Sequence, residues 1–285
     1  MLKPEAREMT ENDERNGYRD MKTDRKIMAV RHPDRQEKHA GGKYPVWHRP
    51  WPLPRRPYVM HQTWRDLLFA HWPVSLTAIR PLVPYELPVD TYDGTAWVGI
   101  VPFRMSGIRL RGLPPIPFTS AFPELNVRTY VTYKGKPGVY FFSLDAAQRL
   151  AVYMARKFFH LPYFNAAMNV SAAEGRVDYR SLRHDPRGKP AEFSASYQPV
   201  SEPYLAEKGT LEYWLTERYC LYTLDGERNI LRGEIHHAPW PLQAAEAIIQ
   251  TNTMAEAAGI ELPETPRLLH YAKRLDVRLW LNEKA

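Results

Sequence analysis

The sequence predicts an α+β protein built around a largely antiparallel sheet that curls into a barrel. Three observations carry that prediction. The chain of 285 residues holds 26 prolines, and each removes a backbone N–H and clashes with a preceding helical turn, which excludes a helical bundle or coiled coil. Short runs of β-branched and aromatic residues alternate with a period of two and are bounded by turn residues. These runs follow one another as hairpins rather than as strand–helix–strand units.

Composition narrows the class further. Hydrophobic residues make up 44% and charged residues 25%, the balance of a globular core under a solvated surface. No stretch reaches the roughly 20 apolar residues that span a bilayer, and the first residues carry no apolar run of the kind a secretory signal needs. A single cysteine, Cys220, excludes a disulfide framework and a Cys-based zinc site. A cytoplasmic protein with no membrane partner, no metal and no cofactor is the expectation. The net charge of +7 is dispersed: residues 1–43 hold 11 basic and 9 acidic side chains, and signs are mixed throughout. With no dense basic arm, a nucleic-acid partner is not expected, and the charge favours at most small anions.

Residues 1–43 are poor in apolar side chains and read as a disordered charged tail. Residues 44–57, rich in proline and carrying Trp47 and Trp51, read as an extended strap with both indoles on the domain surface. Residues 58–285 read as one domain. Within it, DLLFAHWPVSLTAIRPLVP predicts a strand and a short helix, and TAWVGIVPFRM a strand. NVRTYVTYKGKPGVYFFSL predicts a hairpin turning over residues 134–138. Asp145 reads as a helix N-cap with Gln148 closing a capping box, and Leu150, Met154 and Phe158 define a face of the helix that ends near His160. Strands are expected at RVDYRSLR, AEFSASYQP, YCLYT, LRGEIHHAPW and LLHYAKRLDVRLWL, with helices at LEYWLTER and, longer, at QAAEAIIQTNTMAEAAG.

The segment PELNVRTYV holds the strongest chemical signal. On a strand, Glu124, Asn126, Arg128 and Tyr130 share one face, and Leu125, Val127, Thr129 and Val131 the other. A polar stripe of this kind is either a solvated strand face or the wall of an internal pocket, and spacing does not choose between them. Inside a barrel, Arg128 would pair bidentately with a carboxylate and Glu124 would act as acid or base. Arg156 and Lys157 near the helix end form a second candidate, equally explained by the helix macrodipole. Glu217 and Arg218 form either a local pair or a pocket wall. The histidines show no metal-ligand spacing, and adjacent His236 and His237 on a strand point to opposite faces, so at most one faces a given pocket.

The order PELNVRTYV, hairpin, SLDAAQRLAVYMARKFFHLPY, GTLEYWLTERYCLY and RGEIHHAPWPL resembles the bacterial YqjF-type family, over about residues 58–282. That family is grouped with the acetoacetate decarboxylase-like superfamily, which implies a cone-shaped antiparallel β-barrel with flanking helices. In true acetoacetate decarboxylases the equivalent helix ends in Gly-Arg-Glu, followed by Phe-Pro-Lys-Lys. The first of those lysines forms a Schiff base with the keto acid, and its lysine neighbour depresses its pKa. Against this pattern Arg156 matches the arginine, Lys157 replaces the glutamate, and Leu161-Pro162 matches Phe-Pro. Tyr163 and Phe164 stand at the two lysine positions, and Glu124 resembles the superfamily's strand glutamate near the substrate. A phenol cannot form an imine, so the resemblance argues against Schiff-base acetoacetate decarboxylation.

The leading expectation is therefore an internal polar pocket for a small carboxylate or oxo acid. Glu124, Arg128, Arg156 and Tyr163 are its catalytic candidates, and Asn126, Tyr130, Glu217 and Arg218 its ligand-binding candidates. Lyase or enolisation chemistry without a lysine would fit: an arginine holds the carboxylate, Glu124 moves a proton and Tyr163 donates to enolate charge. Two rivals stand beside it. One is a non-catalytic binding or sensor domain, favoured by Tyr163-Phe164. The other is an interaction scaffold built on the strap, with a second copy of the chain among its partners.

Overall fold

A computed structural model describes residues 46–115 and 119–285. The tail expected at residues 1–43 lies outside the described residues. Residues 46–57 run along the surface of the unit formed by residues 43–285, and Trp47 is exposed while Arg49 is buried.

Twelve strands are present among the described residues: β1 (Met60–Val74), β2 (Ala96–Leu110), β3 (Phe122–Tyr133), β4 (Lys136–Ala146), β5 (Tyr163–Ala173), β6 (Arg176–Arg183), β7 (Ala191–Pro199), β8 (Cys220–Leu224), β9 (Ile230–His236), β10 (Gln243–Asn252), β11 (Leu268–Leu279) and the short β12 (Glu283–Lys284). Four helices accompany them: α1 (Leu76–Ile79), α2 (Arg149–Phe159), α3 (Leu211–Thr216) and α4 (Met254–Ala257).

The strands pair in the order β12-β9-β8-β4-β3-β2-β1-β11-β10-β7-β6-β5, and two further pairings, β9–β11 and β4–β5, close the sheet twice. The β4–β5 closure makes a nine-strand barrel through β3, β2, β1, β11, β10, β7 and β6, the large ring. The β9–β11 closure makes a second, seven-strand ring of β9, β8, β4, β3, β2, β1 and β11, the small ring. Five strands belong to both. They form a partition with an interior on each side, which explains why the centres of β1 and β2 are buried on both faces.

Side-chain alternation divides along that partition. Leu68, Ala70, Trp72, Val98, Ile100, Leu125 and Val127 join Tyr179, Phe193 and Tyr197 in the core of the large ring. Leu67, Phe69, Val101, Phe103 and Met105 face the small ring with Leu144, Trp240 and Val277. Large apolar side chains buried in this way contribute about 1.5–3 kcal/mol each. Two bulges adjust the alternation. The β1–β2 register shifts between Arg65 and Ala70, where Asp66 has φ 52°, and this keeps both Trp64 and Leu67 on the small-ring side. The β3–β4 register shifts between Val127 and Arg128, which likewise keeps Phe141 and Leu144 on one side.

Most of the expected elements are present, and four readings need correction. Asp145 is the penultimate residue of β4 and not a helix cap: its carboxylate is buried and takes two hydrogen bonds of 2.6 Å from Arg183. Gln148 caps α2 instead, accepting from the Leu150 backbone N–H at 3.0 Å. The face formed by Leu150, Met154 and Phe158 is exposed; α2 packs inward through Val152, Ala151, Ala155 and Phe159. The segment expected as a long helix is strand β10 followed by the four-residue α4, because Ala245, Ala247 and Ile249 pack inward while Glu246, Ile248 and Gln250 point out. Finally, β4–α2–β5 is a parallel crossover, and β4–β8 is a second parallel pairing in an otherwise antiparallel sheet.

Candidate functional site

The small ring encloses a cavity of about 90 Å³. Its walls are mainly apolar: Leu67 and Phe69 from β1, Val101, Phe103 and Met105 from β2, Phe141 and Leu144 from β4, and Trp240. The polar groups come chiefly from β3. Glu124, Asn126 and Arg128 all line the cavity, which places the polar stripe inside the barrel wall. The opposite face of β3 is interior as well, so the strand has no solvated face along this stretch.

Glu124 is 3% exposed, and the Tyr163 hydroxyl donates to its Oε2 at 2.7 Å. The Tyr179 hydroxyl donates to the Glu124 carbonyl at 2.8 Å and fixes the backbone from the large-ring side. Burial pushes the Glu124 carboxyl up to about 8; the Tyr163 bond offsets this in part, and nearby Asp145 adds to it. Glu124 is therefore a neutral carboxylic acid at pH 7. Burial and the adjacent Glu124 also hold the Tyr163 phenol well above its ordinary value, so it stays protonated.

Arg128 is the unmatched charge of the site. Its Nε is buried without a hydrogen-bond partner, and its guanidinium lies over the rings of Phe69 at 5.4 Å and Tyr130 at 5.7 Å. Gly99 on β2 makes room for the neighbouring His71 ring, from which a Cβ there would stand 3.1 Å, and it would meet Arg128 Cγ at an ordinary 3.5 Å. Arg218 also lines the cavity, but it is largely satisfied. It donates to Asp90 at 2.7 Å and to the Trp214 carbonyl at 2.6 Å, leaving Nη2 buried and unpartnered. The Asn126 Oδ1 is likewise buried without a partner. Polar atoms in that condition cost free energy unless something binds them.

The remaining expected residues are placed as follows. Tyr163 lines the cavity beside Glu124. Tyr130 sits behind the cavity at the end closed by α3, packed with Trp97, Val139 and Leu215, and its hydroxyl bonds His71 Nε2 at 2.7 Å. Arg218 lies over the same ring at 5.0 Å, so Tyr130 contacts both arginines without lining the cavity. Glu217 does not line it: its carboxylate accepts from the Tyr219 hydroxyl and from the Trp240 N–H at 2.9 Å. Arg156 does not reach it. The chain reverses at His160 (φ 52°) after α2, and the Arg156 guanidinium donates to the Tyr163 carbonyl at 2.8 Å, supporting the start of β5. Of the two neighbouring histidines, His237 lines the cavity. Its role was not legible in the sequence beyond the rule that only one of the pair can face a given pocket. His71, behind Tyr130, gave no sequence signal at all. Cys220 touches the cavity, but burial pushes its thiol up to about 12, which leaves it protonated and unreactive. No group of metal-holding side chains occurs among the described residues.

Solved structures with the same architecture are acetoacetate decarboxylase-like. Acetoacetate decarboxylase from Legionella pneumophila superposes with a TM-score of 0.58 at 11% identity, covering 84% of this chain and 93% of that one. The enduracididine biosynthesis enzyme MppR complexed with pyruvate superposes with a TM-score of 0.54 at 12% identity, covering 80% and 90%. At such identity the likeness defines the fold: an acetoacetate decarboxylase-like barrel. Residues 61–276 match the DUF2071 family, described as an uncharacterized conserved protein, and the chain belongs to that family. It is 57% identical over 224 residues to the uncharacterized protein YqjF of Bacillus subtilis (strain 168), covering 78% of this chain and 91% of that protein.

Proposed function

We propose that the small-ring cavity binds a small carboxylic acid with an apolar body, such as an oxo acid, anchored at Arg128. The observation that carries this reading is an arginine facing an apolar cavity with no acid or carbonyl paired to it among the described residues. A carboxylate supplies the missing counter-charge and the bidentate acceptor that a guanidinium prefers. The pyruvate complex of MppR, a protein of the same fold, supports the choice of ligand class.

Glu124, neutral and hydrogen-bonded to Tyr163, is the proton donor of this reading. A carboxyl with its pKa near the working pH suits protonation of a developing enolate oxygen, whether the neighbouring carbon gives its proton to water, as in enolisation, or carbon dioxide leaves, as in a lysine-free decarboxylation. No lysine lines the cavity among the described residues, and Tyr163, which the sequence resemblance aligns with the superfamily's Schiff-base lysine, lines it. A second reading, binding without turnover, is favoured by the way Tyr163 and Glu124 satisfy each other in the free protein.

Calorimetric titration with 4-methyl-2-oxopentanoate and its alcohol analogue tests the anchor. The acid binds the native protein and the alcohol does not; Arg128→Met loses at least about tenfold in affinity, as loss of a charge-assisted pair would cost. Unchanged affinity in Arg128→Met contradicts the assignment. Deuterium exchange at the carbon beside the carbonyl then separates the two readings: catalysed exchange that disappears in Glu124→Gln supports an enzyme, and its absence in the native protein supports a binding domain.

A further inference from the structure

Arg49 lies in the strap before β1, yet its side chain is only 1% exposed. It donates to Glu234 Oε2 at 2.9 Å and to the Ile235 carbonyl at 2.5 Å, both on β9. Trp51 adds a bond from its indole N–H to the same Glu234 oxygen at 2.8 Å. Glu234 is 2% exposed and also pairs with Lys136 at 3.6 Å and Arg232 at 3.0 Å, so the strap is fastened at a buried, fully used carboxylate.

The fastening extends to the cavity. The Arg49 guanidinium lies over the Tyr219 ring at 4.9 Å, and that ring stacks on His237 with centroids 4.7 Å apart and planes 22° from parallel. Glu217 holds the Tyr219 hydroxyl, which fixes the ring between the two. Strap residue His48 approaches the same place, with Nε2 at 2.7 Å from the His237 carbonyl oxygen. Both His237 ring nitrogens face backbone carbonyl oxygens, Nδ1 that of Ala238 at 2.7 Å and Nε2 that of Arg218 at 3.4 Å, and the shorter contact assigns the proton of the neutral ring to Nδ1.

We propose that the strap braces the wall of the ligand chamber from behind, and that Arg49 is a positioning residue for His237, whose ring contacts the bound acid. The contact with the acid rests on the carboxylate-binding reading above; the bracing does not. The physical basis is a continuous stack from the strap to the chamber, Arg49 on Tyr219 on His237, with no mobile side chain between. In this arrangement the His237 ring lines the chamber as a neutral imidazole. The titratable and charged groups around it are His48 and Arg49 from the strap, Glu217 and Arg218 ahead of β8, Tyr219, and its neighbour His236. Desolvation outweighs its two backbone contacts and lowers His237 to about 4; His48 and Arg49 lower it further.

The test follows the His237 ring in the free full-length protein by NMR titration, with 4-methyl-2-oxopentanoate as the probe of affinity. The native ring stays neutral to about pH 4. In Arg49→Met its midpoint rises, and the acid binds about fivefold more weakly. Arg49→Lys keeps a charge but lacks the planar fork that bonds Ile235 and covers Tyr219, so its His237 titration moves in the same direction by a smaller amount. Trp51→Phe, which removes a single bond to Glu234, gives a milder shift and serves if Arg49→Met does not fold. An unmoved His237 in Arg49→Met, or in Trp51→Phe, overturns the strap's role whatever the acid does. A native midpoint in Arg49→Lys overturns positioning, because charge alone would then explain the effect. Weakened binding in Arg128→Met alone leaves the carboxylate reading standing without this one.

Discussion

Glu124 shows how burial rather than residue type decides the chemistry of the chamber. A carboxyl whose ordinary value is 4.5 stands at about 8 because the small ring strips it of water and Tyr163 compensates only in part. The sign of the effect on stability follows from that raised value. The folded protein holds a proton that the unfolded chain releases above pH 4.5, so this contribution is full below that value and is lost as pH rises through about 8. Glu124→Gln removes the titration. Its urea unfolding free energy falls less than that of the native protein between pH 5 and pH 9, and parallel falls in the two proteins would show that Glu124 carries no such burden. The sequence made the identities of Glu124, Asn126 and Arg128 legible because alternation places them on one face. It could not reveal which face is interior, since both are. Nor could it reveal that Arg218 is held by Asp90 and Tyr130 by His71, because those partners are joined only by the fold.

At the scale of elements, Asp145 was misread because an acid before an amphipathic run looks like an N-cap. The structure spends it on an ion pair between β4 and β6, with both side chains at most 3% exposed. Asp145→Asn leaves Arg183 buried beside a neutral amide and destabilises the protein by about 3–5 kcal/mol in denaturant unfolding. A loss near zero would mean that the pair is solvated. β10 was misread for a related reason: its three alanines and Glu246 favour helix, and pairing with β7 overrides that preference. The strand reading separates neighbours that a helix would treat alike. Ile249 packs into the large-ring core and Ile248 is 61% exposed. Ile249→Ala costs about 2–4 kcal/mol, and Ile248→Ala less than about 0.5 kcal/mol. Equal costs would contradict the assigned faces. The hairpin of β3 and β4, by contrast, was legible in its place, but its turn is the two residues Lys134-Gly135, with positive φ at both, and residues 136–138 of the expected turn already pair in β4.

The whole molecule is organised by its partition. Five strands serve both rings, so neither interior can be exposed without breaking the other's wall. Unfolding is therefore expected as one cooperative transition. Tryptophan fluorescence, which reports Trp72 in the large-ring core as well as Trp64 and Trp240 beside the small ring, and far-UV circular dichroism should give the same single midpoint; separated midpoints would contradict one cooperative transition. The partition also explains the chemistry. Residues of the large ring, such as Tyr179, brace the polar strand from behind, while the small ring supplies a dry chamber where an arginine and a neutral acid face the same space.

The most direct test of that chamber is the pH dependence of acid binding. A bound carboxylate at Arg128 and an ionised Glu124 share one small cavity and repel each other. The affinity for 4-methyl-2-oxopentanoate is predicted to be level from pH 6 to pH 7.5, and to fall by up to about tenfold per unit once Glu124 ionises above about 8. In Glu124→Gln the same curve stays level. A level curve in the native protein, or the same fall in Glu124→Gln, would contradict a neutral Glu124 beside the bound acid.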